Sequence, residues 1–502
     1  LVVPSLPDAE ASIDVSRWRE AGNRSQCYYE RICREAGHVR SLNTGLMEAG
    51  SFVKAETYAL DEKNLTKHFR TINAYSDETK ALYGPLFRNV EKLFFGDQNP
   101  LSGCYVKNVP VKERPAYLEK IFGHEQVVIG DFSSFECAHR GEMAKAVNFV
   151  INRLIGENCD PNFKKMINQH MLTFNDLYYR STGLRAQVPQ TLMSGAVWTS
   201  LSNAILSSFI IMYLRLRNKY PDVSPKQLAR RWNEVTLVAE GDDTISMGGP
   251  YNEHIAKSLQ LKLKSKVYSW YGEGDFCGIT KTRGVDDILT DPVKVVCNFF
   301  LLDVPQLKMR SSKQAGLIRA KALSFYYQYN KCPMVAHLAY ATLARTKGMT
   351  PDAKNLSYLR RMAYDESLSQ GRFYQVPPNI DPRSRSNFQS MYGITVYDQL
   401  QFEKAIAAWM CGNEKRVVLP EPFCKYQMWT DLMSSHLEKR VYPPWITLRL
   451  PNPQLLQPKR VFHLDSFLRG QLNTLYHDEQ GRRLRFTRFS PITRPFLTHP
   501  SY

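Results

Sequence analysis

The chain has 502 residues, 43% of them hydrophobic and 12% aromatic, which is enough for a large core and several subdomains and argues against a disordered or fibrous form. Lys and Arg number 66 against 48 Asp and Glu, and the net charge of +18 favours a polyanionic partner, either nucleic acid or an acidic membrane surface. The ten cysteines form no Cys-x-x-Cys pair and no Cys/His cluster with zinc spacing, so the chain is expected to keep reduced thiols in a cytosolic setting. Leu1 in place of Met points to a processed or read-through product.

The first chemical signal along the chain is basic. Lys54, Glu56, Lys63, Lys67 and Arg70 lie close together, a cluster that suits a triphosphate, with Arg as a bidentate fork and Lys as a point charge, or else a solvated charged face. The β-branched run Val127-Val128-Ile129 predicts a buried strand with Asp131 at its end. A carboxylate there is placed to share a cation with a neighbouring hairpin, or to act as a turn residue or helix cap. Glu136 follows the strand, within reach of a sugar hydroxyl.

From Ala186 to Leu214 no residue is charged, a length that suits a membrane span. Its polar residues, among them Pro189, Gln190, Ser202 and Asn203, favour a buried segment of a soluble fold. Within it, Ser194-Gly195 reads as a flexible loop entering a helix. Thr199 and Asn203, four residues apart, share one helical face. That pair suits a ribose 2′-hydroxyl, or a buried helix whose polar groups satisfy one another.

Next come two β-prone segments, Val235 to Ala239 and Thr244 to Met247, around Gly241-Asp242-Asp243. They predict a hairpin with two carboxylates at its tip, which is both common turn chemistry and a candidate site for divalent metal. Gly272-Glu273-Gly274 lacks the spacing and helix entry of a dinucleotide loop. Beyond Leu307 the segments Lys313 to Tyr327 and Pro333 to Arg345 have helical periodicity, and Pro377 to Arg385 reads as a loop or subdomain boundary. Near the end, Arg482, Arg483, Arg485, Arg488 and Arg494 alternate with Phe486, Phe489 and Phe496. This pattern suits phosphate contact with base stacking, or a tail packed on the surface.

Four patterns thus stand in order: a basic cluster, Asp-x4-Glu, Ser-Gly-x3-Thr-x3-Asn and Gly-Asp-Asp. Together they resemble the RNA-dependent RNA polymerases of positive-strand RNA viruses, most closely the tombusvirus-like group, over the stretch from Phe52 to about Arg345. The resemblance implies an α+β right-hand architecture. Fingers would span 1–120 and 137–190, and a palm with an antiparallel sheet 121–136 and 191–288. A mainly helical thumb with a basic C-terminal segment would occupy 289–502.

The resemblance further implies that Asp131 and Asp242 bind two Mg²⁺ or Mn²⁺ ions with Asp243 in support. Ser194, Gly195, Thr199 and Asn203 would position template and select ribonucleotides together with Glu136. Lys54, Glu56, Lys67 and Arg70 would line the nucleotide entry channel. Lys262 or Lys264 would protonate the departing pyrophosphate, and Phe276-Cys277-Gly278 would grip the primer strand. Glu136 departs from the family's usual Asp. Implied partners are RNA template and product, NTPs, other viral replication proteins and host membranes contacted through segments outside this chain. The implied setting is the host cytoplasm, in membrane-associated replication complexes. The size of the region after Leu307 leaves room for an element supporting primer-free starts.

Two rivals share some of these signals. A reverse transcriptase shares the carboxylates but calls for a bulky residue near Glu136 to exclude the 2′-hydroxyl. A basic RNA-binding or capsid-like protein shares the charge but not the carboxylates, which cost affinity at a phosphate-binding surface unless metal offsets them.

Overall fold

A computed structural model describes residues 48–53, 71–300, 309–351 and 376–412 apart from isolated loop positions, together with the short paired strands Arg416–Val418 and Thr447–Arg449. Lys54, Glu56, Lys63, Lys67, Arg70 and the Arg-rich tail lie outside the described residues.

The fold is mixed α+β with mainly antiparallel sheets. One four-stranded sheet joins β1 (Glu48–Val53), β2 (Thr71–Tyr75), β4 (Asn175–Tyr179) and β5 (Leu184–Val188) in the order β2-β1-β4-β5, and only the β1–β4 pair is parallel. The second joins β3 (Val127–Phe132), β6 (Leu237–Glu240), β7 (Asp243–Met247) and β8 (Leu263–Tyr268) in the order β6-β7-β3-β8, antiparallel throughout.

Alternation along the second sheet explains how it is packed on both sides. Val128, Phe132, Leu237 and Ala239 join the main core, against the helices Asp77–Phe95, Gly141–Ile155 and Thr199–Lys219. Val127, Val238 and Ile245 face the other way, into a smaller core with Leu118, Phe122, Trp270 and Phe276. The outer edge of β6 is covered by an isolated bridge between Tyr105 and Ala239. β8 forms the opposite edge, with Lys264, Ser265 and Lys266 exposed.

The uncharged segment runs from the end of β5 through the Ser194 loop into most of the helix Thr199–Lys219, a helix long and apolar enough to cross a membrane. Here its residues Leu201, Ala204, Ile205, Ile211 and Leu214 are core, and it packs on β6 and β7. The uncharged run thus serves a core buried on several sides.

Toward the C-terminus, the helices Pro292–Phe299, Ser311–Tyr329, Val335–Arg345, Pro382–Tyr392 and Val396–Met410 form their own apolar core around Trp409, Phe299, Phe388 and Phe402. Glu403 is buried there. The Arg385 guanidinium donates to both its oxygens at 3.0 and 2.8 Å, and the Met334 N–H donates to one at 2.9 Å. The stretch read as a loop around Pro377 to Arg385 is partly helical. Asp381 caps the helix that starts at Pro382, accepting from the Arg383 N–H at 2.8 Å, and proline at the first helical position costs no hydrogen bond.

Candidate active site

The register of the second sheet assembles the acidic residues. Glu240 pairs with Asp243, Asp243 with Asp131, and Asp131 with Lys264. Directly opposed residues in an antiparallel sheet project to the same face. Four strands therefore carry one row, Glu240–Asp243–Asp131–Lys264, at the end of the face whose other positions fill the smaller core. Asp131 is exposed, while Asp242 and Asp243 are half-buried.

The hairpin tip is Gly241-Asp242. Gly241 takes φ +67 while Asp242 stays on the negative side, the glycine-first pattern of a two-residue hairpin turn whose twist matches its strands. Asp242 thus stands in the turn, and Asp243 is the first residue of β7.

The row is crowded with like charge. Burial and the neighbouring Asp242, Asp131 and Asp275 carboxylates push the Asp243 carboxyl up to about 7, partly offset by a hydrogen bond from the Cys277 thiol. Among the described residues, no group of three or more His, Cys, Asp and Glu side chains is drawn together as a cage for a metal ion. The donor chemistry is right for Mg²⁺ or Mn²⁺, which take carboxylate oxygens together with water and substrate phosphates rather than a closed protein cage.

Lys262 and Lys264 are both exposed on β8 or at its start. Lys264 is directly opposite Asp131. Lys262 lies one pleat further out, where its carbonyl accepts from the Ser133 N–H at 2.8 Å. Across the row sits the turn Phe276-Cys277-Gly278-Ile279, closed by reciprocal backbone bonds of 3.1 Å. Both central residues are left-handed, Cys277 at φ +55 and Gly278 at φ +76. This aims the Cys277 thiol at the row, where burial and the charges of Glu240 and Asp243 push its pKa up.

The second group of predicted residues is joined through the loop that enters the helix Thr199–Lys219. Glu136 lies in the short 3-10 helix Phe135–Ala138, and its carbonyl accepts from the Leu192 N–H at 3.4 Å. That contact brings Glu136 to the Ser194 loop. Ser194 is joined to the first sheet, its carbonyl accepting from the Asn73 N–H at 2.8 Å. Gly195 has φ +107, and a Cβ there would stand 2.5 Å from the Asn73 carbonyl oxygen. Gly195→Ala is therefore expected to destabilise the fold by about 2–3 kcal/mol or to displace the loop, read as a lower melting temperature and faster proteolysis near residue 195.

Thr199 opens the long helix and turns inward. Its hydroxyl contacts the carbonyls of Met193 at 2.7 Å and Ala196 at 2.9 Å, which shapes the loop. Asn203 shares its face and is buried, its Oδ1 accepting from His139 Nε2 at 3.0 Å. In this structure both polar groups serve the protein itself.

Sequence reasoning passed over His139, Asp275, Glu240 and Arg114. Arg114 is buried and its guanidinium forms a two-pronged ion pair with Glu240, one prong at 3.1 Å. The position of Glu240, immediately before the acidic triplet, was the available signal. Arg114 offered none, because its partner is 126 residues away. No family model matches the chain, and no curated protein matches it.

Proposed function

We propose that this chain is an RNA-dependent RNA polymerase with a right-hand architecture, similar to those of positive-strand RNA viruses and most like the tombusvirus-like group. The observation that carries the reading is the four-strand row. It brings the Asp131 and Gly-Asp-Asp segments, far apart in sequence, to directly opposed positions on one sheet. The Glu136 and Ser194–Asn203 segments, joined by the Leu192 N–H to Glu136 carbonyl bond, support the choice of RNA as substrate.

In this reading Asp131, Asp242 and Asp243 hold two Mg²⁺ or Mn²⁺ ions. When bound, the ions lower the pKa of the attacking 3′-hydroxyl and neutralise charge on the departing pyrophosphate. Glu136 and Asn203 read the ribose 2′-hydroxyl, Asn203 doing so by releasing its bond to His139. Lys262 or Lys264 delivers the proton to pyrophosphate. Lys54, Glu56, Lys67 and Arg70 line the NTP entrance, and the template and product RNA follow the basic surface. Replication proteins, host membranes and a cytoplasmic replication complex complete the proposed setting.

The decisive measurement is labelled NTP incorporation on an RNA template with Mg²⁺. Asp242→Asn is expected to lower it by at least about 10³-fold with RNA binding retained. Undiminished synthesis by that variant overturns the assignment. A preference for dNTPs would instead select the reverse transcriptase, and RNA binding without any Mg²⁺-dependent synthesis would select the non-catalytic reading.

A further inference from the structure

The Arg114–Glu240 pair sits at one end of the acidic row, and its geometry gives it a task beyond holding the chain together. Arg114 begins the helix Arg114–Phe122, and its Nε donates to the Val109 carbonyl at 3.1 Å. That helix is fastened from the far side. The Tyr271 hydroxyl donates to the Pro115 carbonyl at 3.0 Å, and Lys281 pairs with Glu119 at 2.7 Å. The guanidinium is therefore delivered to the row by a rigid element. Being buried, it must have an anionic partner.

Two carboxylates stand at this end of the row. Glu240 has both oxygens engaged by the guanidinium. Asp243 is directly opposite Glu240 on the neighbouring strand. The Asp243 carboxyl is pushed up first by burial and then by the neighbouring Asp242 and Asp131 charges.

We propose that Glu240 is a positioning residue that captures the Arg114 guanidinium and so keeps Asp243 and Asp131 open to a divalent cation. This rests on the reading of the row as a metal site. Without Glu240 the buried, always-charged fork is left at this end of the row, where Asp243 stands directly opposite on the neighbouring strand. A bidentate Arg–Asp pair there would occupy the oxygens that a cation needs. Glu240 meets the guanidinium with both oxygens, so its charge is offset by Arg114.

The test is Mn²⁺ binding to the full chain, followed by the electron paramagnetic resonance signal of the free ion, with melting temperatures recorded alongside. Glu240→Gln is expected to weaken Mn²⁺ binding about tenfold or more. The double variant Arg114→Gln/Glu240→Gln should return it to within about twofold of the wild type, because the competing cation has gone. Should the amide pair fail to fold, Arg114→Met/Glu240→Leu makes the same comparison with apolar side chains of similar size. A merely structural pair predicts equal losses in the single and double variants, and that result overturns the proposal, as does unchanged affinity in Glu240→Gln. A wild-type chain that binds no Mn²⁺ overturns the metal reading itself. Wild-type binding with an unshifted Glu240→Gln leaves that reading standing and removes only the role of Glu240.

Discussion

Asp131→Asn is expected to make the metal-free protein slightly more stable while lowering nucleotide incorporation by about a thousandfold. The two effects share one cause. Asp131 stands opposite Asp243, and its charge is one of those that push the Asp243 carboxyl up. An amide at this position relieves that repulsion, and because Asp131 is exposed the gain is small, about 1–2 °C in melting temperature. Mg²⁺ should reverse the ranking. A ligand that binds only the folded state stabilises in proportion to its occupancy, so the wild type should gain more than the variant as Mg²⁺ rises. Parallel thermal melts with and without Mg²⁺ make the check. Equal Mg²⁺ stabilisation of both chains would remove Asp131 from the set of ligands.

The second large effect is acid lability between pH 7 and pH 5. His139 and His170 are both buried, and burial pushes each imidazole down to about 4. Each is therefore neutral when folded and takes up a proton near pH 6.5 when unfolded. A depressed folded-state pKa means that this stability is fully present above pH 6.5 and is lost as pH falls toward 4. At pH 5 the loss is about 2 kcal/mol for each histidine.

His170 has the starker environment. Its ring lies edge-on to Tyr75, Tyr83 and Trp198, with centroids at 4.8, 5.5 and 5.1 Å. Among the described residues neither ring nitrogen has a partner, and they border a cavity of about 20 Å³ shared with His139 and Ser202, large enough for one water. His170→Phe should therefore remove about half of the acid sensitivity. Asp243 works in the opposite sense, since its raised pKa makes the folded state the better proton binder over part of this range. The melts are best compared in an Asp243→Asn background. An unchanged pH slope in His170→Phe would show that this imidazole is not held neutral.

The hairpin around Gly241 was legible in sequence because its cause is local: β-prone runs flank a glycine that can take positive φ. The strand ending near Asp131 was legible for the same reason, as were the helices Ser311–Tyr329 and Val335–Arg345. What sequence could not supply was register. Whether Asp131 faces Asp243, Thr244 or neither depends on pairing between distant strands, and a slip of one residue would turn every side chain to the other face. The hydrogen bond from His139 to Asn203 and the capture of Arg114 by Glu240 were hidden for the same reason. Thr199 shows a further limit. Its place on the helix was readable, but not that its hydroxyl would be spent on the carbonyls of its own loop.

The order of strands in the second sheet bears on how the protein reaches its working state. Gly130 and Thr244, which touch at the centre of that sheet, are separated by 114 residues of chain. Closing so long a loop is slow, because its entropy is lost before the contacts that offset it can form. Within the intervening chain lie several helices and the strands β4 and β5 of the other sheet. The acidic row is therefore expected to assemble late in folding. Recovery of tight Mn²⁺ binding during refolding should lag behind recovery of helical circular dichroism, which makes the row a built-in reporter of completed folding.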